Sequence, residues 1–408
     1  MSLALLGAAA ASLLGLGALE QALHRRRLDA IPLRIHVAGT RGKSSVTRLV
    51  AGALRRAGKV TAAKTTGTLP RMILPDAREL DVFRPRGARI TEQARIVARA
   101  RELGVEALVL ECMALRPELH WVSESKLVRA THAIITNVRA DHLDVMGPTE
   151  ADVARCLAGM VPLGGVLATA ERRHLGIFER AAADRGTKLL AVSDEELAAV
   201  SDVELARFGH VEHRDNVAVA LKLLEALDIP RDVALEGMWA APPDPGALTE
   251  HEVSFFGRRI VFVNAFAAND PDSTARLFAL AQERHADAER TVAFFNLRED
   301  RPERTRQLAR HATFWHAAEH VVLLGSGADH FAREALDAGL DATRFAVVEH
   351  EALEAVFESI VSLCGRSALV IGMGNIGERG LELVRMFRNR ETLAPPAPSE
   401  APQSEARA

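Results

Sequence analysis

Three features of this 408-residue sequence predict an α/β fold in two domains. Strand-like and helix-like runs alternate through most of the chain, a Gly-Lys-Ser turn joins an early strand to a helix, and a proline-rich turn interrupts the alternation near residue 242. A P-loop-type, mostly parallel sheet domain is expected over 28–248 and a smaller Rossmann-like α/β domain over 249–390, with an N-terminal membrane helix in 1–27 and a disordered tail over 391–408.

The elements follow in order. From Leu3 to Leu19 every residue is Ala, Leu, Gly or Ser, and the basic cluster His24-Arg25-Arg26-Arg27 comes after this run. A cleavable secretory signal carries its positive charges before the apolar stretch, so the expectation is an uncleaved anchor. The positive-inside rule puts Met1 outside and Arg25 onward in the cytoplasm, at the cell membrane. The run is short against the ~20 residues usual for a spanning helix, and the alternative is an apolar helix buried against a partner protein.

Leu33 to Ala38 reads as a strand and Val46 to Ala57 as an amphipathic helix, with the turn Gly39-Thr40-Arg41-Gly42-Lys43-Ser44-Ser45 between them. Ala107–Glu111, Ala130–Asn137, Gly165–Thr169 and Lys188–Val192 are short apolar runs with polar ends, as buried strands are. Thr91–Leu103, Thr149–Leu157, Glu171–Ala183 and Val211–Leu227 have helical spacing or good helix formers. Pro242-Pro243-Asp244-Pro245-Gly246 is a stiff boundary. Strands are then expected at Arg259–Val263, Thr291–Asn296, Val321–Gly325, Phe345–Val348 and Ala368–Ile371.

A hydrophobic content of 48% supports folded domains, and a net charge of -3 leaves no overall electrostatic footprint for nucleic acid. Cys112, Cys156 and Cys364 are widely spaced and odd in number, which argues against a disulfide framework and a cysteine-based zinc site.

The turn after the first strand has the residues of a phosphate cradle. Gly39 and Gly42 let backbone N–H groups face an anion, the helix N-terminus adds its positive end, Lys43 reaches β/γ-phosphates and Ser44 or Ser45 offers a hydroxyl to Mg²⁺. A strict P-loop has glycine where Val37 stands, so this is a shorter Gly-x-x-Gly-Lys-Ser form; an ordinary glycine turn is the alternative. Two more strand ends are expected to converge on it. Glu111 suits a Mg²⁺ ligand, direct or through water, or else a helix cap or salt bridge. Thr136-Asn137-Val138-Arg139-Ala140-Asp141-His142-Leu143-Asp144 crowds Asn, two Asp and a His after an apolar strand, as a ligand site or a polar turn does. Gly372-Met373-Gly374-Asn375-Ile376-Gly377 fits a dinucleotide fingerprint, but no second strand ending in an acid follows, and a tight strand-to-helix turn is the better reading.

The glycine loop, Thr136-Asn137 and Asp141-His142-Leu143-Asp144 resemble the Mur ligase superfamily, ATP-dependent enzymes that join amino acids to carboxylates. Lys64-Thr65-Thr66-Gly67-Thr68, Glu111-Cys112-Met113-Ala114, Asp141 to Thr149 and Asn264-Ala265-Phe266-Ala267-Ala268-Asn269-Asp270-Pro271 resemble the ligase subunits of bacterial poly-γ-glutamate synthases, from about Leu33 to Arg390. The resemblance implies that Gly39, Thr40, Arg41, Gly42, Lys43, Ser44 and Ser45 bind ATP phosphates, that Ser44 and Glu111 serve one Mg²⁺ and His142 a second, that Asn216 contacts adenine, and that Asn264 stands where an aspartate meets the ribose. Lys64, Thr65, Thr66, Arg71, Arg89, Arg298 and Arg301 are candidates for holding carboxylate substrate, the arginines equally for surface ion pairs.

Departures from the superfamily are specific. No lysine occurs between Asp144 and Lys188, so the carbamylated lysine of Mur ligases has no counterpart; Pro245-Gly246-Ala247 lacks the usual arginine; Phe266-Ala267-Ala268 replaces Tyr-Ala-His; and Glu212-His213 replaces His-Asn. These argue against a peptidoglycan substrate.

The implied reaction phosphorylates a γ-carboxylate with ATP, releasing ADP, and then forms an amide with the amino group of another glutamate in a site closed between two domains. The implied partners are glutamate, a growing poly-γ-glutamate chain and an integral-membrane synthase subunit in a membrane complex, with no nucleic acid. A folylpolyglutamate synthase-like ligase and a membrane-anchored ATPase acting in polymer assembly or export remain as alternatives.

Overall fold

The computed structural model describes residues 3–67, 69–84, 87–244, 248–255, 257–266, 271–299, 302–311, 314–348, 352–377 and 379–391. Arg301, Thr68, Pro245-Gly246-Ala247, Ala267-Ala268-Asn269-Asp270 and the expected tail from 392 lie outside them. The chain divides into two compact units, Met1–Pro245 and Gly246–Ala408.

The first unit is built on eight strands: β1 (Leu33–Ala38), β2 (Thr61–Lys64), β3 (Arg71–Ile73), β4 (Glu79–Asp81), β5 (Ala107–Glu111), β6 (His132–Ile135), β7 (Val166–Thr169) and β8 (Lys188–Ala191). Their order is β4-β3-β2-β5-β1-β6-β7-β8, with only β3 and β4 antiparallel to their neighbours. In the register Val37 lies beside Glu111 and Ile134, so the turns after β1, β5 and β6 emerge together at the carboxyl edge. Such an edge, at the centre of a parallel sheet, is where ligands gather in this class of fold.

Helices cover both faces because the central strands are apolar on both. On one face Val46, Leu49, Val50 and Leu54 of the helix Lys43–Arg56 meet Val217 and Leu224 of Arg214–Glu225 and Met238 of Arg231–Trp239. Gly52 and Gly237 allow two of these helices to touch backbone to backbone, since a Cβ on Gly52 would stand 2.3 Å from the Gly237 carbonyl oxygen. On the other face Val153, Leu157, Met160 and Phe178 pack with Ile135 and Leu167.

The N-terminal segment is a helix, Leu3–Asp29, but the expected membrane span is overturned: among the described residues no helix is long and apolar enough to cross a membrane. Alanine, glycine and serine dilute the leucines, and the helix runs on without a break through Glu20 and the basic cluster. Its last turns belong to the folded unit, with Leu28 and Ile31 in the core and the His24 ring hydrogen-bonded to the Leu127 carbonyl at 2.9 Å.

The second unit contains β9 (Thr249–Phe255), β10 (Arg258–Asn264), β11 (Arg290–Asn296), β12 (His320–Leu324), β13 (Phe345–Val347) and β14 (Ser367–Gly374), ordered β13-β12-β11-β14-β10-β9. All pairs are parallel except the β9–β10 hairpin. The glycine run at the end of β14 is a packing device. A Cβ on Gly372 would meet the Phe266 ring at 2.8 Å, one on Gly374 the Asn296 carbonyl oxygen at 2.4 Å, and Asn296 Nδ2 donates to the carbonyls of Asn375 at 2.6 Å and Gly377 at 3.0 Å.

Candidate active site

The turn after β1 closes into a cradle at the start of the helix Lys43–Arg56. Gly39 (φ 130°) and Gly42 (φ 78°) take conformations that L side chains rarely adopt. Each also has no room for one: a Cβ on Gly39 would lie 2.0 Å from Thr136 Oγ1, and one on Gly42 2.4 Å from Asn216 Oδ1. Asn137, two residues beyond β6, holds the turn from the other side. Its Oδ1 accepts from the Thr40 hydroxyl at 2.7 Å and the Arg41 N–H at 3.1 Å, and its Nδ2 donates to the Arg41 carbonyl at 3.2 Å. The Thr136 hydroxyl donates to the same carbonyl at 2.6 Å. Lys43 bends back so that Nζ donates to the carbonyls of Gly39 at 2.8 Å and Thr40 at 3.1 Å.

Glu111, nearly fully buried at the end of β5, points at this turn. Its Oε2 accepts from the Ser44 hydroxyl at 2.8 Å and the Thr66 N–H at 2.7 Å. A hydroxyl and a carboxylate side by side are a donor set that fits Mg²⁺ when phosphate oxygens and water supply the remaining ligands. Among the described residues no group of three or more His, Cys, Asp or Glu is placed to hold a metal ion. His142 has φ 47° and a half-exposed ring 3.8 Å from Asp141, whose other oxygen is 3.9 Å from Arg41. Lys43, Thr66, Asp141 and His142 share a cavity of about 190 Å³ with Arg84 and Cys112.

Buried ionisable groups back the cavity. Lys64 is fully buried, 2.6 Å from Glu92, which also takes Arg84 in a two-point pair at 2.7 and 2.9 Å. Burial pushes the Lys64 ammonium below its usual range, with Glu92 opposing; Glu92 is held low against its own burial by Arg84 and Lys64. Below β1 and β5, burial opposes charge on His36, Cys112 and His120, yet the imidazoles of His120 and His36 pull the Cys112 thiol down to about 5. In return the thiol, with Glu124 beside His36, raises His36 to about 9, and it raises His120 to about 10.

Comparison with known proteins follows the same division of the chain. Residues 37–220 match the Mur ligase middle domain and residues 250–390 the poly-γ-glutamate synthase CapB C-terminal domain. The PGA synthase CapB of Bacillus subtilis is 33% identical over 370 residues, covering 90% of this chain and 93% of that protein. The chain belongs to the CapB family. The capsule biosynthesis protein CapB of Bacillus anthracis is 37% identical over 311 residues, 76% of this chain and 66% of its own length, just under two thirds. A folylpolyglutamate synthase/dihydrofolate synthase from Yersinia pestis, solved with AMPPNP and a Mn ion, shares the fold at TM-score 0.60 and 16% identity, covering 90% of this chain and 92% of that one.

In this CapB-family chain the remaining candidates are placed as follows. Asn216, buried against Gly42, donates from Nδ2 to Glu212 at 2.7 Å, so the glutamate that departs from the superfamily pattern orients it. Arg71 is committed to ion pairs with Asp81 and Glu79 in the β3–β4 hairpin. Arg89 is exposed ahead of the helix Glu92–Glu102 and does not line the cavity. Thr65 is buried and its N–H donates to the Arg71 carbonyl at 2.9 Å. Lys188 opens β8 at the amino edge of the sheet, the end opposite Lys43. Asn264 ends β10 in the second unit, with Oδ1 accepting from the Phe266 N–H at 3.4 Å, and Arg298 follows β11 there.

The sequence reading missed two residues. Arg84 is the arginine that lines the cavity, and no local pattern distinguishes it from Arg71 or Arg89. Asn137 enters the sequence reading only within a motif; an Asn closing an apolar strand-like run, with no turn glycine following, is the available signal for a side chain that binds backbone.

Proposed function

We propose that the cradle around Lys43 transfers the γ-phosphoryl group of ATP to a γ-carboxylate, and that the acyl phosphate so formed reacts with the amino group of glutamate. The chain is an ATP-dependent amide ligase of poly-γ-glutamate synthesis; membership of the CapB family supports this, and the Lys43–Glu111 arrangement carries the mechanism.

In the first step a carboxylate oxygen attacks the γ-phosphorus, the bond to the bridging oxygen breaks and ADP leaves. In the second the glutamate nitrogen attacks the acyl carbon, loses a proton and expels phosphate. Neither step needs a nucleophilic side chain. Lys43 leaves its resting carbonyl partners for the phosphate oxygens, where its charge offsets the charge that builds on the transferring group. The N–H groups of the loop and of the first helical turn bind the same oxygens. Ser44 and Glu111 would hold Mg²⁺, with His142 toward a second ion, and a divalent cation there supplies charge neutralisation across the phosphates. Asn216 positions the Gly42 end of the loop and is placed for the nucleotide, and Arg84 is the cation next to the cavity for a carboxylate. Lys64 holds the wall through Glu92 and does not face substrate directly.

Attachment to the cell membrane, with both units on the cytoplasmic side, is assigned in this reading to an integral-membrane partner subunit and not to a spanning helix. Fractionation of cells with and without that partner tests it.

Incubating the purified chain with ATP, Mg²⁺, glutamate and hydroxylamine tests the chemistry. Glutamate-dependent ADP release and a γ-glutamyl hydroxamate are expected. ADP release at the same rate with and without glutamate, and no hydroxamate, would refute the ligase mechanism.

A further inference from the structure

A second concave site lies in the first unit, at the amino edge of the sheet. A cavity of about 610 Å³ is bordered by Arg34, Thr131 and Gly165, at the starts of β1, β6 and β7. The length of β1, six residues at ~3.3 Å each, separates this edge from the phosphate cradle.

The cavity is cationic although the chain as a whole carries -3. Arg25, Arg34, Lys126, Arg129 and Arg185 line it, against one carboxylate, Glu124. That carboxylate is turned inward, accepting from the Ala130 N–H at 2.8 Å and from His36 at 2.7 Å. Arg34 donates to the carbonyls of Ile31 at 2.6 Å, Leu28 at 3.1 Å and Arg129 at 3.0 Å, and Arg185 to that of Gly159 at 3.2 Å. Carbonyls fix a guanidinium without cancelling its charge; Asp29 is the other carboxylate acting on Arg34. Arg25, Lys126 and Arg129 are exposed and make no carboxylate ion pair among the described residues. Other surface arginines do pair with carboxylates, as Arg56 does with Glu236, Arg173 with Glu150 and Arg231 with Glu204.

Apolar surface is interleaved with these charges. Trp121 is 48% exposed with the Lys126 ammonium 5.3 Å from its ring, and Leu163 is 84% exposed. The backbone that presents Lys126 and Arg129 is irregular, a π-helix over Ser123–Val128 followed by Arg129 at φ 47°. Both features are uncommon and recur at functional sites.

We propose that this cavity binds a stretch of anionic polymer, the poly-γ-glutamate chain itself, remote from where ATP is cleaved. The proposal rests on the function argued above. Carboxylates pair with the guanidiniums and the Lys126 ammonium, and the methylene groups between them lie on Trp121 and Leu163. Cations gathered around a concavity suit a chain better than a flat bilayer, and a single exposed tryptophan does not make the series of stacking platforms that single-stranded nucleic acid uses. Holding the polymer here keeps its end at a raised local concentration between additions.

Fluorescence anisotropy of a labelled poly-γ-glutamate of about 20 residues, titrated with the full chain, tests the site. The double variant Lys126→Gln/Arg129→Gln is expected to weaken binding about tenfold, and Arg25→Gln, on a separate helix, to weaken it in the same direction. KM for the long acceptor rises in parallel, while the kinetic constants for ATP and for monomeric glutamate stay at wild-type values. Polymer binding indifferent to both variants, in a chain that still ligates glutamate, overturns the site alone. Polymer binding that falls with the variants, in a chain that forms no hydroxamate, upholds the site and overturns the ligase reading. Phosphatidylglycerol vesicles or a single-stranded oligodeoxynucleotide bound as tightly, with the same sensitivity, overturn the assignment to this polymer.

Discussion

Asn137→Ala isolates the closing of the phosphate loop from the groups that touch phosphate. The substitution removes three side-chain hydrogen bonds, to the Thr40 hydroxyl, the Arg41 N–H and the Arg41 carbonyl, and leaves the backbone bond from the Thr40 N–H to the Asn137 carbonyl at 3.1 Å. At about 1 kcal/mol for each bond, with water replacing part of the loss at this half-buried position, the loop loses about 2 kcal/mol of preference for its bound form. That corresponds to about 30-fold in kcat/KM for ATP, because each ~1.4 kcal/mol is a factor of ten. Glutamate-dependent ADP release over a range of ATP concentrations measures it. If the same energy were spread over the whole unit, Tm would drop by roughly 4–8 °C; a smaller shift is expected, since the bonds lie in a turn and not in the core. Asn137→Asp keeps the acceptor but adds a negative charge facing the phosphates, and should lose more activity than the alanine variant. A kcat/KM within threefold of wild type for both variants would show that the loop is organised without Asn137.

Three further outcomes are expected. Lys43→Ala should lower kcat at least about a hundredfold in the same assay with little change in Tm, since the ammonium acts on charge formed in the transition state; near-wild-type turnover would exclude Lys43 from phosphoryl transfer. Gly42→Ala should abolish measurable ATP binding by calorimetry, because its Cβ would stand 2.4 Å from Asn216 Oδ1, whereas Gly58→Ala, also at positive φ (82°) but with nothing within 4 Å, should cost about 1 kcal/mol of stability and leave ATP binding intact. His36 has its pKa raised from 6.5 to about 9, so its contribution is fully present below pH 6.5 and is lost as pH rises through 9; denaturation midpoints should fall between pH 6.5 and 9, by a free energy of about 3 kcal/mol at most, and Glu124→Gln should flatten that dependence.

The central parallel strands β1, β5, β6 and β7 were legible because each is a short, largely buried run, and burial on both faces leaves a nearly unbroken apolar signal. β1 and β5 fall where the sequence places them, and β6 and β7 are shorter than the expected runs because their flanking residues turn toward the loops. The β2–β3–β4 meander was not legible. Its strands have three or four residues, and Arg71, Glu79 and Asp81 sit in them as ion-pair partners, which reads as loop. β9 was missed for a similar reason: Thr249, Glu250, His251 and Glu252 pair along the edge of the second sheet, and an antiparallel edge strand tolerates polar side chains that a central one does not. The N-terminal helix was legible as a helix and misread as a span, because the absence of charge over Leu3–Leu19 is a weaker condition than apolarity: alanine and glycine satisfy the first and contribute little to the second.

The site separates along a different line. Residues whose chemistry is local were readable in place: a glycine needing positive φ, a lysine at a helix start and a carboxylate ending a strand each follow from a few neighbouring letters, and Gly39, Gly42, Lys43, Ser44 and Glu111 converge as those letters imply. Residues that act through a fold-level neighbour were not. Arg71 opens the β3–β4 hairpin and Arg84 follows it, and the sequence reading singles out Arg71 as a carboxylate binder and passes over Arg84. What divides them is that Arg71 meets Asp81 across two antiparallel strands while Arg84 is drawn by Glu92 to the cavity wall above Lys64. The second pairing exists because Lys64 alone, fully buried, could not hold a charge without Glu92, and Glu92 with two cations can keep both. The cation beside the cavity is therefore held by the same carboxylate that the buried Lys64 requires, and by the Thr66 carbonyl at 3.2 Å.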